Sequence, residues 1–225
     1  MFAAIAGSYD LNNRVHSLWR DQAWRRYAVR AAGVRTGDRV LDVACGTGDL
    51  TQAFAASPAA DVIGLDFTPE MLALAERKRT SLPAAQAAKI RYQQGDAQAL
   101  PFSDASFDVV SIAFGIRNVA EPARALSEFA RVLKPGGRLI VLEFDRPTHP
   151  PMSWFYAFYC GWLMPRTATL LSGDKSGAYR YLPRSVGTFM PRREMQNSIR
   201  RAGFSDVTIH ALSLGICVCY RAVRA

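Results

Sequence analysis

Residues 39–56 hold three things in immediate succession. An apolar run, 39–43, ends in the glycine-rich turn Gly46-Thr47-Gly48, and a helical stretch, 50–56, follows at once. A buried strand that turns through glycines straight into a helix is the opening unit of an open α/β sheet. The pattern then repeats. Residues 61–65 read as a second strand, followed by Thr68-Pro69-Glu70, where Thr68 suits an N-cap and Pro69 the first helical turn. Met71, Leu72 and Ala75 recur at helical spacing. Further strands are expected at 90–93, 107–113 and 139–144, with a helix at 122–133 stopped by Lys134-Pro135-Gly136-Gly137. A late helix at 194–202 precedes two final strands, 207–212 and 216–220, which Leu214-Gly215 would join as a hairpin, adding an antiparallel edge. The expected architecture is α/β: a mostly parallel seven-stranded sheet with an antiparallel C-terminal strand and helices on both faces. Right-handed crossovers place the ends of the parallel strands on one edge, where ligands bind.

The length of 225 residues suits one domain, 1–225. Within it, 1–35 reads as an N-terminal helical segment and about 147–190 as an aromatic insertion. No 18-residue uncharged apolar run occurs, so no spanning helix is expected. The first ten residues lack the basic region and cleavage site of a signal peptide. The four cysteines form no CxxC pair, so no metal site is expected. Cys217 and Cys219 read as packing residues on one face of a strand, and free thiols fit a cytoplasmic chain. Net charge is +9, but the arginines are scattered in pairs rather than drawn into a long basic run, so nucleic acid is not an expected partner.

The glycine turn alone could serve a dinucleotide, a flavin or S-adenosylmethionine. A dinucleotide fingerprint wants a third glycine where Thr51 stands, and a pyrophosphate would be repelled by Asp42 and Asp49 beside the loop. S-adenosylmethionine inverts that demand. It carries a sulfonium and an ammonium and no phosphate, so carboxylates near it attract. Asp66 ends the second strand 20 positions after Gly46, where a carboxylate suits ribose hydroxyls. Asp96 follows the third strand and can accept from an adenine amino group. The competing assignment is that these acids are turn and cap residues.

The same residues carry a resemblance. Tyr9-Asp10, Asn13, Trp24-Arg25-Arg26, Leu41 to Asp49, Gly64-Leu65-Asp66-Phe67, Gly95-Asp96-Ala97, Leu100-Pro101-Phe102, Phe114-Gly115-Ile116-Arg117-Asn118, Leu142-Glu143-Phe144 and Tyr179-Arg180-Tyr181-Leu182 run nearly end to end. In these the chain resembles the ubiquinone/menaquinone-biosynthesis C-methyltransferases of the UbiE type. The resemblance implies a Rossmann-like class I methyltransferase that uses S-adenosylmethionine. It implies cofactor contacts at Thr47, Asp66, Asp96 and Ala97, to which the reading of the strand ends and glycine turn adds Asp42, Gly46, Gly48 and Phe67. An acceptor site is expected to draw on Tyr9, Asn118, Tyr156 and Tyr181, with Asn118 also suited to fixing its turn and the aromatic insertion either a substrate lid or an ordinary core helix. Members of that family commonly carry Ser directly before Phe114, whereas this chain has Ala113, so that hydroxyl contact is either absent or replaced by Ser111 or by backbone.

The implied reaction is methylation of a ring carbon of a prenylated quinol, most simply demethylmenaquinol, with the benzoquinol precursor of ubiquinone as the alternative. Arg117 is the expected catalytic residue: it cannot act as a base, but it can lower the quinol pKa and orient a water. The alternative is that Arg117 pins its loop to Glu143 or Asp145. His149 and Asp145 are weaker candidates for the base. A lipid-borne acceptor implies peripheral contact with the inner face of the membrane, helped by the aromatic insertion and the basic surface. A homodimer is compatible with such a chain. Two other functions compete: methylation of another small lipophilic acceptor, which would not need residues 114–118, and a non-catalytic cofactor-binding or RNA-associated role.

Overall fold

A computed structural model describes residues 14, 17, 19–148, 150–159 and 184–225. In chain order the elements are α1 (Arg20–Ala32), β1 (Arg39–Val43), α2 (Asp49–Ala55), β2 (Asp61–Asp66), α3 (Pro69–Arg79), α4 (Ala84–Ala87), β3 (Ile90–Gln94) and β4 (Phe107–Ala113). Then come a 3-10 turn (Ile116–Asn118), α5 (Pro122–Val132), β5 (Leu133–Phe144), α6 (Met152–Phe158), α7 (Arg192–Arg201), β6 (Phe204–Leu212), a second 3-10 turn (Ser213–Gly215) and β7 (Cys217–Arg224). The seven strands form one sheet in the order β3-β2-β1-β4-β5-β7-β6.

β1 to β5 pair in parallel. The C-terminal hairpin supplies the expected antiparallel C-terminal strand, but inside the sheet rather than at its edge. β7 inserts between β5 and β6 and pairs antiparallel with both. The antiparallel strand is therefore interior, and the edge strand β6 runs in the same direction as β5. Side-chain burial gives the physical reason. Cys217, Val218, Cys219 and Tyr220 are all buried, as an interior strand covered on both faces requires, while β6 alternates irregularly with exposed residues. A second difference lies at residues 134–137. Instead of a loop after α5, they extend β5 back to Leu133, with a register shift opposite Phe107 and Val109.

Each face of the sheet has its own core. Leu41, Val43, Val110 and Ile112 pack with Leu126 and Phe129 of α5 and with Met195 and Ile199 of α7. Val40, Val62, Val109 and Ile140 pack with Trp24 and Ala28 of α1 and with Leu50 and Phe54 of α2. The alternation of Val40, Leu41 and Val43 between the two cores is the period-two geometry of a strand covered on both sides. The fully buried Phe54 and Phe129 contribute about 1.5–3 kcal/mol each relative to exposure.

Candidate active site

The turn after β1 is built by backbone that few side chains tolerate. Ala44, Gly46 and Gly48 all have positive φ, at 51°, 55° and 83°. A side chain at Gly48 would be strained at φ 83° and would force Tyr92 aside, because an added Cβ would lie 2.2 Å from the Tyr92 hydroxyl. The Tyr92 ring also lies against Gly64, where a Cβ would stand 2.7 Å from two ring carbons. Above Gly46, in contrast, a Cβ would meet nothing within 4 Å. That open space belongs to a cavity of about 450 Å³ between the ends of β1, β2, β3 and β4.

The cavity gathers Gly46, Asp66, Phe67, Asp96, Ala97 and Asn118 from the expected set. It also recruits Gln98 and Thr68, which sequence reasoning missed as site residues. Asp66 accepts the backbone N–H of Gly46 on Oδ2 and of Thr68 on Oδ1, both at 2.8 Å. Each of its oxygens keeps a lone pair for a further donor. The side chain thus joins the glycine turn to the start of α3. Asp96 is braced by Gln98, whose backbone N–H donates at 2.9 Å and whose amide donates to both oxygens. Gln98 is braced in turn, its Oε1 accepting from the Glu121 N–H at 2.9 Å. The Asp-x-Gln spacing at a strand end was the available signal. Phe67 is 71% exposed, presenting an apolar face. No Lys, Arg or His lines the cavity among the described residues.

Three expected cofactor residues lie elsewhere. Asp42 is 1% exposed and sits beneath the turn, accepting from Thr51 Oγ1 and Ser111 Oγ, each at 2.7 Å. It supports the loop rather than lining the cavity. Thr47 is 4% exposed, and its hydroxyl accepts from Lys78 Nζ at 3.2 Å. Gly48 faces Tyr92. The substitute role expected of Ser111 is corrected too: its hydroxyl is spent on Asp42, while Ala113 lines the cavity without a hydroxyl. Asp49 is likewise held away, by Lys78 and by Gln22 at 3.0 Å. Burial pushes its pKa up, but Arg25 and Lys78 outweigh burial and hold it below the usual range.

Burial pushes the Asp42 pKa up to about 6, from an ordinary 3.8, against the pull of the two hydroxyls. An acid raised in this way holds its proton longer in the folded than in the unfolded chain. Its contribution to stability therefore falls as pH rises from its unfolded to its folded pKa. Relative to an Asp42→Asn variant, the wild type is expected to lose about 2 kcal/mol of stability between about pH 4.5 and about pH 7. Chemical denaturation of both proteins across that range checks it; a constant difference between them would contradict it.

Beside the cavity stands the turn of residues 114–118. Phe114 is held at φ 57°. Its N–H donates to Leu142 O at 2.7 Å, and its carbonyl accepts from Arg117 Nη1 at 2.8 Å. Its ring packs 4.5 Å from Phe144 and 6.1 Å from Trp24, under the Arg25 guanidinium at 5.4 Å. Asn118 Nδ2 reaches the same carbonyl at 3.5 Å, so it helps fix the turn as well as facing the cavity. Arg117 forms an ion pair with Glu143, the two side chains being 6% and 2% exposed. Its Nε donates to Ser185 Oγ at 3.3 Å. Burial pushes the Glu143 pKa up against the pull of Arg117. Arg117 thus ties its loop to Glu143 and does not line the main cavity. It does line a second cavity, of about 250 Å³, with Arg184, Ser185, Thr188 and Phe189. Asp145 is engaged by Arg192. Tyr156 lies on α6, partly buried, on neither cavity. Tyr9, Tyr181 and His149 lie outside the described residues.

The family model for the ubiE/COQ5 methyltransferase family matches residues 1–224. The chain belongs to that family. It is 45% identical over 217 residues to the demethylmenaquinone methyltransferase of Thermus thermophilus, covering 96% of each chain. It is 44% identical to the demethylmenaquinone methyltransferase of Deinococcus radiodurans, over 96% of this chain and 88% of that one. It is 39% identical to the ubiquinone/menaquinone biosynthesis C-methyltransferase UbiE of Pseudomonas savastanoi pv. phaseolicola, over 100% of this chain and 87% of the relative. Among solved structures, a SAM-dependent methyltransferase from Thermotoga maritima superposes with a TM-score of 0.67 at 21% identity, over 100% of this chain and 98% of that one. The methyltransferase thus has the Rossmann-like fold of its class. No helix among its described residues is long and apolar enough to cross a membrane.

Proposed function

We propose that this methyltransferase transfers the methyl group of S-adenosylmethionine to a ring carbon of a prenylated quinol, with demethylmenaquinol as the acceptor. The observation that carries the cofactor assignment is the sign of the main cavity. Asp66 and Asp96 line it, and no basic side chain does among the described residues. Such a wall repels a pyrophosphate and attracts a sulfonium. When bound, the cofactor supplies a methyl group activated by positively charged sulfur. Asp66 has lone pairs left for both ribose hydroxyls. Phe67 offers a bare aromatic face to adenine, and Asp96 accepts from its amino group. The open space over Gly46 admits the methionine portion. Asp42, under the turn, adds negative potential without contact.

The acceptor assignment rests on the relatives. Those at 44–45% identity are named for demethylmenaquinone, and those near 39% for ubiquinone and menaquinone together. A neutral ring carbon is a weak nucleophile until a neighbouring hydroxyl ionises. Arg117 bears on this from the second cavity. Its fixed charge stabilises the quinolate, and water takes the phenolic proton. The ring carbon gains the methyl and then loses its own proton to solvent. Feeding methyl-labelled cofactor to the purified protein with a reduced lipid extract from a strain lacking it tests the proposal. Label in the quinone fraction supports it, and label confined to protein or RNA contradicts it.

A further inference from the structure

The ligand-bearing edge of the sheet is divided by charge. Over β2, β3 and β4 the rim carries Asp66, Glu70, Asp96 and Glu121. Over β5, β7 and β6 it carries the exposed Leu214 and the exposed Arg146. Cys217, the first residue of β7, pairs with Phe144, the last of β5, so the turn Ser213–Gly215 stands on this same edge. Leu214 at its tip is 75% exposed, and Trp19, just before α1, is 59% exposed. The fold brings the two segments together through one hydroxyl. Ser213 Oγ accepts from Arg20 Nε at 3.2 Å and from Trp24 Nε1 at 2.9 Å.

Trp19 and Leu214 also share an unusual backbone. Each has φ 58°, a left-handed conformation that is strained for a bulky side chain. Neither side chain is repaid by burial. Arginines flank the two segments. Arg20 is exposed beside Trp19. Pro147 packs near Gly215, and the exposed Arg146 before it reaches Gly187, close to the exposed Arg184. Among the described acids here, Asp145 is paired with Arg192 and Asp21 with Arg25.

We infer that the Trp19–Leu214 tip and its arginine rim form a docking surface for an anionic lipid bilayer. Charge complementarity selects the occupant. Guanidiniums match anionic headgroups, and an indole and a leucine between them suit the boundary beneath. The surface lies on the edge that holds the active site, so docking would bring the mouth to a membrane-borne acceptor. It rests on the quinol proposal only in what the membrane supplies.

Flotation of the full chain with phosphatidylcholine vesicles, with and without roughly 30% phosphatidylglycerol, tests it. The expected result is co-flotation with the anionic vesicles at low salt and release at high salt. A Trp19→Asn/Leu214→Asn variant should cut the bound fraction about tenfold while keeping its melting temperature, since Asn tolerates left-handed backbone. Cofactor binding should be unchanged. Failure of the wild type to float with anionic vesicles, or equal flotation of the variant, would overturn the inference. So would a dimer in solution that the variant abolishes without any vesicle binding, which would assign the face to a second copy. Flotation reads no methyl transfer, so its failure stays separate from failure of the quinol proposal.

Discussion

Replacing Arg117 with alanine is expected to lower kcat on a reduced quinol by about 100- to 1000-fold, the loss typical of removing a fixed transition-state charge. The same change strands Glu143, which is 2% exposed and accepts from Arg117 and from its neighbours' backbone. Breaking one side of a buried pair costs about 3–5 kcal/mol of stability, so the single variant confounds two effects. A double variant separates them. Arg117→Met with Glu143→Leu removes both charges at similar volume and should recover most of the melting temperature. It should not recover turnover. Cofactor affinity, measured by calorimetry, should stay within about twofold in the double variant, because Arg117 is not on the main cavity. A double variant that regains wild-type kcat would show that Arg117 only holds the Phe114 turn in place.

Asp66→Ala carries the second large effect. The carboxylate accepts from Gly46 and Thr68 inside the protein and is proposed to accept from the cofactor ribose. Hydrogen bonds to a charged group are worth about 1.5–3 kcal/mol each, so losing those to the ribose raises the cofactor Kd by about 100-fold or more. The turn around Gly46 also loses its tie to α3. Asp96→Ala should cost less, about tenfold, since it removes one proposed contact to adenine. Calorimetric titration of the three proteins gives the ranking. An Asp66→Ala protein that binds the cofactor as tightly as wild type would remove the ribose assignment.

The parts of the site legible in the sequence were those encoded locally. Gly46 to Asp66 and Asp96-Ala97 lie at strand ends, and strand ends could be placed from short apolar runs alone. Their convergence on one cavity follows from parallel pairing. What escaped depended on distant partners. Ser111 and Asp42 are 69 positions apart, and only their meeting shows that Asp42 is buried support and that Ser111 cannot replace the missing hydroxyl at Ala113. Arg117 and Glu143 are 26 positions apart, which left both catalysis and loop-pinning readable for the arginine, with catalysis the expected role. The hairpin was read correctly as two strands, but not its order in the sheet. The signal was present in the unbroken apolar run of residues 216–220, where an exposed edge would have alternated.

The most direct test of the central claim is the position of the transferred methyl. The purified protein, given S-adenosylmethionine with a labelled methyl and reduced demethylmenaquinone, should yield one methyl per ring. Carbon NMR should place it on a ring carbon. A methyl on oxygen, or no transfer from a protein that binds the cofactor, would contradict the account.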